Sequence, residues 1–93
     1  MSVNRRIYLV TGAASGIGQA TALALSGPGA GLLLHTRANK AGLEAVARAA
    51  SERGADVATA LGDLADPDCP AALVEAAAAR FGQLDALICV GGA

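Results

Sequence analysis

Four short apolar runs divide this chain: Ile7–Val10, Leu32–His35, Val57–Leu61 and Ala86–Val90. The first, Ile-Tyr-Leu-Val, is continuously apolar and does not alternate with polar residues, which is the pattern of a strand buried on both faces. Between successive runs lie longer alanine-rich stretches with helical spacing, and no two-residue hairpin signal joins any pair of runs. The resulting order is βαβαβαβ. Strands separated by helices cannot pair as hairpins, so the pattern predicts a parallel sheet with right-handed crossovers.

The punctuation supports that division. Thr11-Gly12 closes the first strand, and Ile17, Ala20, Leu23 and Ala24 are spaced to form the apolar side of a helix from about Ser15 to Ser26. Gly27-Pro28-Gly29 ends it. Asn39 is placed to cap a second helix that runs to Arg53, with Leu43, Val46, Ala47 and Ala50 inward and Gly54 as its stop. Gly62-Asp63-Leu64-Ala65-Asp66 reads as a loop. A third helix begins within Asp66–Pro70, where proline is tolerated in a first turn, and carries Leu73, Val74, Ala77 and Phe81 inward before Gly82.

Ninety-three residues suit one domain, taken as residues 1–93. Of these, 54% are hydrophobic but only 2% aromatic, so the core is built from Ala, Leu, Val and Ile at close range. Seven Lys and Arg against eight Asp and Glu give a formal net charge of −1, which offers no footprint for nucleic acid or an anionic membrane. No stretch is long and apolar enough for a membrane span, and Ile7–Val10 is too short for a signal-peptide core. A cytoplasmic location is therefore expected. Cys69 and Cys89 make neither a disulfide framework nor a metal cluster and read as two small buried thiols.

The chemistry concentrates in the first strand-to-helix turn, Thr11-Gly12-Ala13-Ala14-Ser15-Gly16-Ile17-Gly18. Glycines there let the backbone turn tightly, approach a ligand and seat the helix against the sheet. A helix N-terminus offers unpaired N–H groups and positive potential to a diphosphate, and Ser15 can add a hydroxyl. A glycine turn of this kind also occurs simply as a tight turn.

Thr-Gly-x-x-x-Gly-Ile-Gly resembles the cofactor fingerprint of the short-chain dehydrogenase/reductases. Asp63-Leu64, after the third strand, is similar to the family's Asp-Leu/Val pair that holds the adenine. Phe81-Gly82-Gln83-Leu84-Asp85-Ala86-Leu87-Ile88 is similar to the segment that leads into its fourth strand. The resemblance covers essentially the whole chain but only the first part of the family's domain. It implies an α/β, Rossmann-like three-layer fold with four parallel strands in the order 3-2-1-4, the first half of that domain. The first two helices would cover one face and the third would partly cover the other.

The resemblance gives several residues expected roles. Asp63 accepts from the adenine amino group while Leu64 packs beside the ring; read without the family, Asp63 is a turn-capping aspartate. An acid at the end of the second strand would favour NAD, whereas His35-Thr36-Arg37 has none and offers a cation. Arg37 thus points to NADP, with NAD as the alternative; the family's other basic marker is absent because Ser15 occupies its place. As a solvated surface residue Arg37 would carry no such meaning. His35 reads as a structural histidine. Tyr8 lies in the first strand and is not the family's catalytic tyrosine, whose Tyr-x-x-x-Lys turn and upstream Ser have no counterpart in this sequence.

The family's Asn-Asn-Ala-Gly is replaced by Cys89-Val90-Gly91-Gly92, which loses two supporting amides. Gly91 and Gly92 can still bring backbone near the ribose. These residues predict dinucleotide binding through Gly12, Ser15, Gly16, Ile17, Gly18, Arg37, Asp63, Leu64, Gly91 and Gly92, with no catalytic or metal-ligating residue. Three functions remain open: a binding module, a part of an oxidoreductase whose catalytic half is supplied by another polypeptide or lies outside this sequence, or an oligomerising remnant. The open edge of the fourth strand and the under-covered sheet face predict self-association.

Overall fold

A computed structural model describes residues 5–14 and 16–90. Its elements are β1 (Arg6–Thr11), α1 (Gly16–Leu25), β2 (Ala30–Thr36), α2 (Lys40–Glu52), β3 (Asp56–Leu61), α3 (Cys69–Phe81) and β4 (Ala86–Cys89). The strands form one sheet in the order β3-β2-β1-β4, with every pairing parallel. Val10 on β1 lies between Leu34 on β2 and Ile88 on β4. Parallel pairing brings all four C-terminal strand ends to one edge, where the β1–α1, β2–α2 and β3–α3 connections emerge.

Side chains alternate along each strand, so the sheet makes two cores. On one face Val10, Leu32 and Leu34 pack with Ala22 of α1 and with Leu43, Val46 and Ala50 of α2. On the other, Ile7, Leu9 and Leu33 pack with Leu73, Ala77 and Phe81 of α3. The second core is the smaller, and α3 packs over β1 and β2. Leu87, which shares a register position with Leu9, lies beyond that cover at the open edge and is 52% exposed.

Local chemistry fixes the helix ends. The Asn39 side chain accepts a hydrogen bond from the Gly42 N–H at 3.0 Å, capping α2 as its position implies. α3 ends at Gly82, whose φ of 81° turns the chain and lets its N–H reach the Ala78 carbonyl at 2.8 Å. At the opposite edge from the connections, Asp85 ties the start of β4 to β1: its carboxylate accepts from the Ile7 N–H at 2.7 Å and its own N–H donates to the Ile7 carbonyl at 2.9 Å. The Ile7 N–H, then the Gln83 side chain, hold the Asp85 carboxyl below its usual range against an opposing desolvation, with a weaker contribution from Arg6.

Three expectations need correction. α1 does not bury Ile17, Ala20 and Ala24; it buries Gly18 and Ala22, and Ile17 is 75% exposed. Every position of this helix except Gln19 and Thr21 is apolar or glycine, so spacing alone left its rotation undetermined. In α3, Val74 is exposed because Leu73, Ala77 and Phe81 alone face the sheet. The cysteines are not both buried: Cys69 is partly exposed at the start of α3, and Cys89 is exposed on edge strand β4.

Candidate functional site at the C-terminal edge of the sheet

The β1–α1 junction is held from both sides. Ala13 donates its N–H to the His35 carbonyl at the end of β2, at 2.8 Å. Thr11 accepts at its Oγ1 from the Val90 N–H beyond β4, at 3.2 Å. Gly12, between these ties, and Gly16, just beyond them, have φ of 63° and 59°, a left-handed backbone that side chains disfavour. A Cβ on Gly12 would also lie 2.9 Å from the Val90 carbonyl oxygen. Gly18 has a different reason to be glycine: a Cβ there would overlap the Gly12 carbonyl, so its absence lets the first turn of α1 sit directly on the loop. The first N–H groups of α1 lack helical partners, and no acidic residue occupies its first turn.

Two further segments reach the same edge. β2 ends at Thr36, which is buried and neutral, and Arg37 follows it into solvent. β3 ends at Leu61, and the chain turns at Gly62-Asp63. Asp63 uses Oδ1 to accept from the Ala65 N–H at 2.9 Å, the turn-capping contact expected of a loop aspartate. Its Oδ2 lies 3.8 Å from Nε of Arg37, so the two charged residues singled out in the sequence face each other. Their side chains are 79% and 50% exposed, which leaves the outer guanidinium nitrogens open to solvent. Leu64 and Ile17 are both exposed, supplying apolar surface beside the charged pair and the glycine turn.

Of the residues expected to bind a cofactor, the structure therefore brings Gly12, Gly16, Ile17, Gly18, Arg37, Asp63 and Leu64 to one edge. Ser15, Gly91 and Gly92 lie outside the described residues. His35, set aside as structural, is more involved than its sequence position indicates: its Nε2 lies 2.7 Å from the Gly62 carbonyl oxygen, while its buried Nδ1 has no partner. Among the described residues no group of three His, Cys, Asp or Glu side chains could hold a metal ion. None of the described helices is long and apolar enough to cross a membrane.

Known proteins are similar to this chain in sequence and fold. The family described as short chain dehydrogenase matches residues 6–93. Cis-4-hydroxycyclohexanecarboxylate dehydrogenase of Sinomonas cyclohexanicum is 44% identical over 87 residues, which cover 94% of this chain and 34% of that protein. L-Sorbose reductase of Gluconobacter frateurii, solved with NADPH and L-sorbose, superposes with a TM-score of 0.85 at 30% identity, covering 99% of this chain and 35% of that one. A 3-oxoacyl-[acyl-carrier protein] reductase of Brucella melitensis, solved with NAD, gives a TM-score of 0.83 at 35% identity over 98% of this chain and 35% of that one. The chain thus spans about a third of the length of these relatives. With the glycine junction, the strand order and a match along nearly its whole length in agreement, the chain belongs to the short-chain dehydrogenase/reductase family.

Proposed function

We propose that this chain binds a nicotinamide adenine dinucleotide along the C-terminal edge of its sheet, with preference for the 2′-phosphorylated form, NADP(H). The observation that carries the reading is the glycine cradle at β1–α1, where a Cβ at Gly12 or Gly18 would meet backbone oxygen. Such a turn lets a diphosphate approach the main chain and take the free N–H groups of α1. Gly12, Gly16 and Gly18 would hold the diphosphate, with Ser15 adding a hydroxyl; Asp63 and Leu64 would take the adenine; Gly91 and Gly92 would run beside the ribose. Ile17, exposed at the start of α1, would lend apolar contact.

The preference for NADP(H) rests on the end of β2. Thr36 puts no carboxylate there to bind ribose hydroxyls, and Arg37 presents free guanidinium nitrogens to a phosphate. The neighbouring Asp63 bears on this balance: it orients Arg37 through Nε without covering the outer nitrogens. When bound, the nicotinamide supplies the hydride chemistry. The residues of this chain bind and orient; they include no Tyr-x-x-x-Lys, since Tyr8 is followed four positions later by Gly12. These residues make a binding module, and as part of an NAD(P)-dependent oxidoreductase they would work with catalytic groups supplied by another polypeptide or by a further part of the same one.

Titration with NADP⁺ and with NAD⁺, followed by thermal shift, tests the reading. A ligand at a hundred times its Kd stabilises the folded state by about 2.7 kcal/mol, a shift readily measured in a chain of this size. Absence of stabilisation at millimolar concentrations of both cofactors refutes binding. Carbonyl reduction that appears only when a second polypeptide is added supports the oxidoreductase role. The open edge of β4, with Leu87 and Cys89 exposed, favours self-association through that strand or the adjoining face. A purely monomeric sedimentation profile at micromolar concentration refutes that part.

A further inference from the structure

His35 is buried, with 2% of its surface exposed, and it is the single histidine of the sequence. A carbonyl oxygen can only accept, so the ring proton facing Gly62 sits on Nε2, which donates to that oxygen at 2.7 Å. In the neutral ring Nδ1 is then a bare acceptor, and it is buried without a partner. Leaving such an atom unpaired is unfavourable, and an apolar side chain of similar size would avoid it, as Leu33 does on the same face of β2. Packing therefore does not account for a histidine here. What the imidazole adds is its one bond to Gly62.

That bond joins the two halves of the proposed site. Through its backbone carbonyl, His35 accepts from Ala13 in the glycine turn at 2.8 Å. Through its ring it grips Gly62, the residue immediately before Asp63. The ladder bond from the Gly62 N–H to the Thr36 carbonyl, at 3.2 Å, continues this link. The Asp63 loop is otherwise closed on itself, by the Ala65 N–H on Oδ1 and by the Asp66 N–H on the Asp63 carbonyl, and it touches the rest of the site through the exposed Arg37 pair.

We infer that His35 is a positioning residue that sets the Gly62–Leu64 loop at a fixed spacing from the glycine turn, so that adenine and diphosphate are engaged together. The inference rests on the binding reading given above and assigns to its adenosine half a residue that touches no cofactor atom. Removing the ring bond is expected to release the loop while leaving the diphosphate cradle intact, because the Ala13 bond is to the His35 backbone and survives substitution.

The test compares His35→Leu, which cannot bond Gly62, with His35→Gln, whose amide nitrogen reaches about as far as Nε2. Probes are 2′,5′-ADP, which carries the adenosine half, and inorganic pyrophosphate, which carries only the diphosphate. His35→Leu is expected to weaken 2′,5′-ADP about tenfold, the effect of losing one buried hydrogen bond, with pyrophosphate unchanged and His35→Gln restoring most of the loss. If His35→Leu fails to fold, His35→Asn, whose shorter amide stops short of Gly62, takes its place. Parallel loss of both probes, or no loss of 2′,5′-ADP, overturns the inference. Amide hydrogen exchange at Asp63–Ala65 in the ligand-free chain separates the two ideas: unchanged exchange in His35→Leu overturns the role of His35, whereas a wild-type chain that ignores 2′,5′-ADP overturns the binding reading itself.

Discussion

Replacing Arg37 with alanine separates cofactor choice from stability. In the free chain Arg37 is 79% exposed, and its ion pair is a single approach of Nε to Asp63 Oδ2 at 3.8 Å. That spacing is too long for a hydrogen bond, and exposed pairs of this kind contribute about 0.2–1 kcal/mol. Arg37→Ala should therefore lower the melting temperature by about 1–8 °C, since about 1 kcal/mol moves a domain of this size by roughly 4–8 °C. Binding should respond differently. A guanidinium on a phosphate makes charge-assisted bonds of about 1.5–3 kcal/mol, which is about 10- to 150-fold in affinity. The loss should fall on NADP⁺ and spare NAD⁺, and it should shrink at high salt as the phosphate is screened. Calorimetric titration of both cofactors into wild type and variant, at low and high salt, reads all of this. Equal losses for the two cofactors, or none for NADP⁺, would refute the assignment of Arg37 to the 2′-phosphate.

Other perturbations test the remaining parts. Gly18→Ala sets a Cβ against the Gly12 carbonyl and 3.1 Å from Ala13 Cα, both backbone atoms that cannot swing aside; denaturant unfolding should show a loss of about 1–3 kcal/mol, with NAD⁺ and NADP⁺ weakened alike, and an unchanged midpoint would contradict the close seating of α1. Phe81→Ala empties the centre of the smaller core, where Arg5 and Arg80 also lie over the ring, and should cost about 3–5 kcal/mol in the same assay. Because the Asp85 carboxyl is held below the 3.8 of a free side chain, its contribution to stability is complete above that value and is lost as pH falls through the lower folded value. Asp85→Ala should accordingly melt earlier near neutrality and show a flatter dependence in the acid range, and parallel profiles would refute the β1–β4 latch. Leu87→Lys, on the exposed face of β4, should shift sedimentation toward monomer without lowering the melting temperature.

Where apolar and charged residues were segregated, the sequence was enough to orient an element. α2 sets Leu43, Val46 and Ala50 against Glu44, Arg48 and Glu52, and those three apolar side chains are the ones buried. The strand runs were equally plain, and with glycine, proline and asparagine marking the turns they determine the β3-β2-β1-β4 sheet once the family resemblance supplies strand order. The strands extend a residue or two beyond the apolar runs, at Arg6, Ala30 and Asp56, because ladder hydrogen bonds continue where burial has already ended. Arg37 and Asp63 were legible one at a time; their approach to each other was not, since it depends on the β2–β3 register that pairs Thr36 with Leu61.

The rotation of α1 and the tie made by the structural His35 escaped the sequence for a shared reason. Both sit where close backbone approach, and not bulk, decides what faces inward. In α1 the sheet and the glycine turn come so near that only Gly18 and Ala22 fit beneath the helix, and the larger Ile17 is turned out onto the surface. A search for large apolar residues at helical spacing therefore selects the wrong stripe, and its error has functional content. Ile17, counted in that apolar stripe and also expected at the cofactor, is the residue left exposed at the mouth of the site. At His35 an imidazole is buried where one ring nitrogen finds the Gly62 carbonyl and the other finds nothing. Periodicity sees a strand position filled by a medium-sized side chain. Only the carbonyl across the strand gap, a backbone atom with no signature in the sequence, explains why that side chain should be able to donate a hydrogen bond.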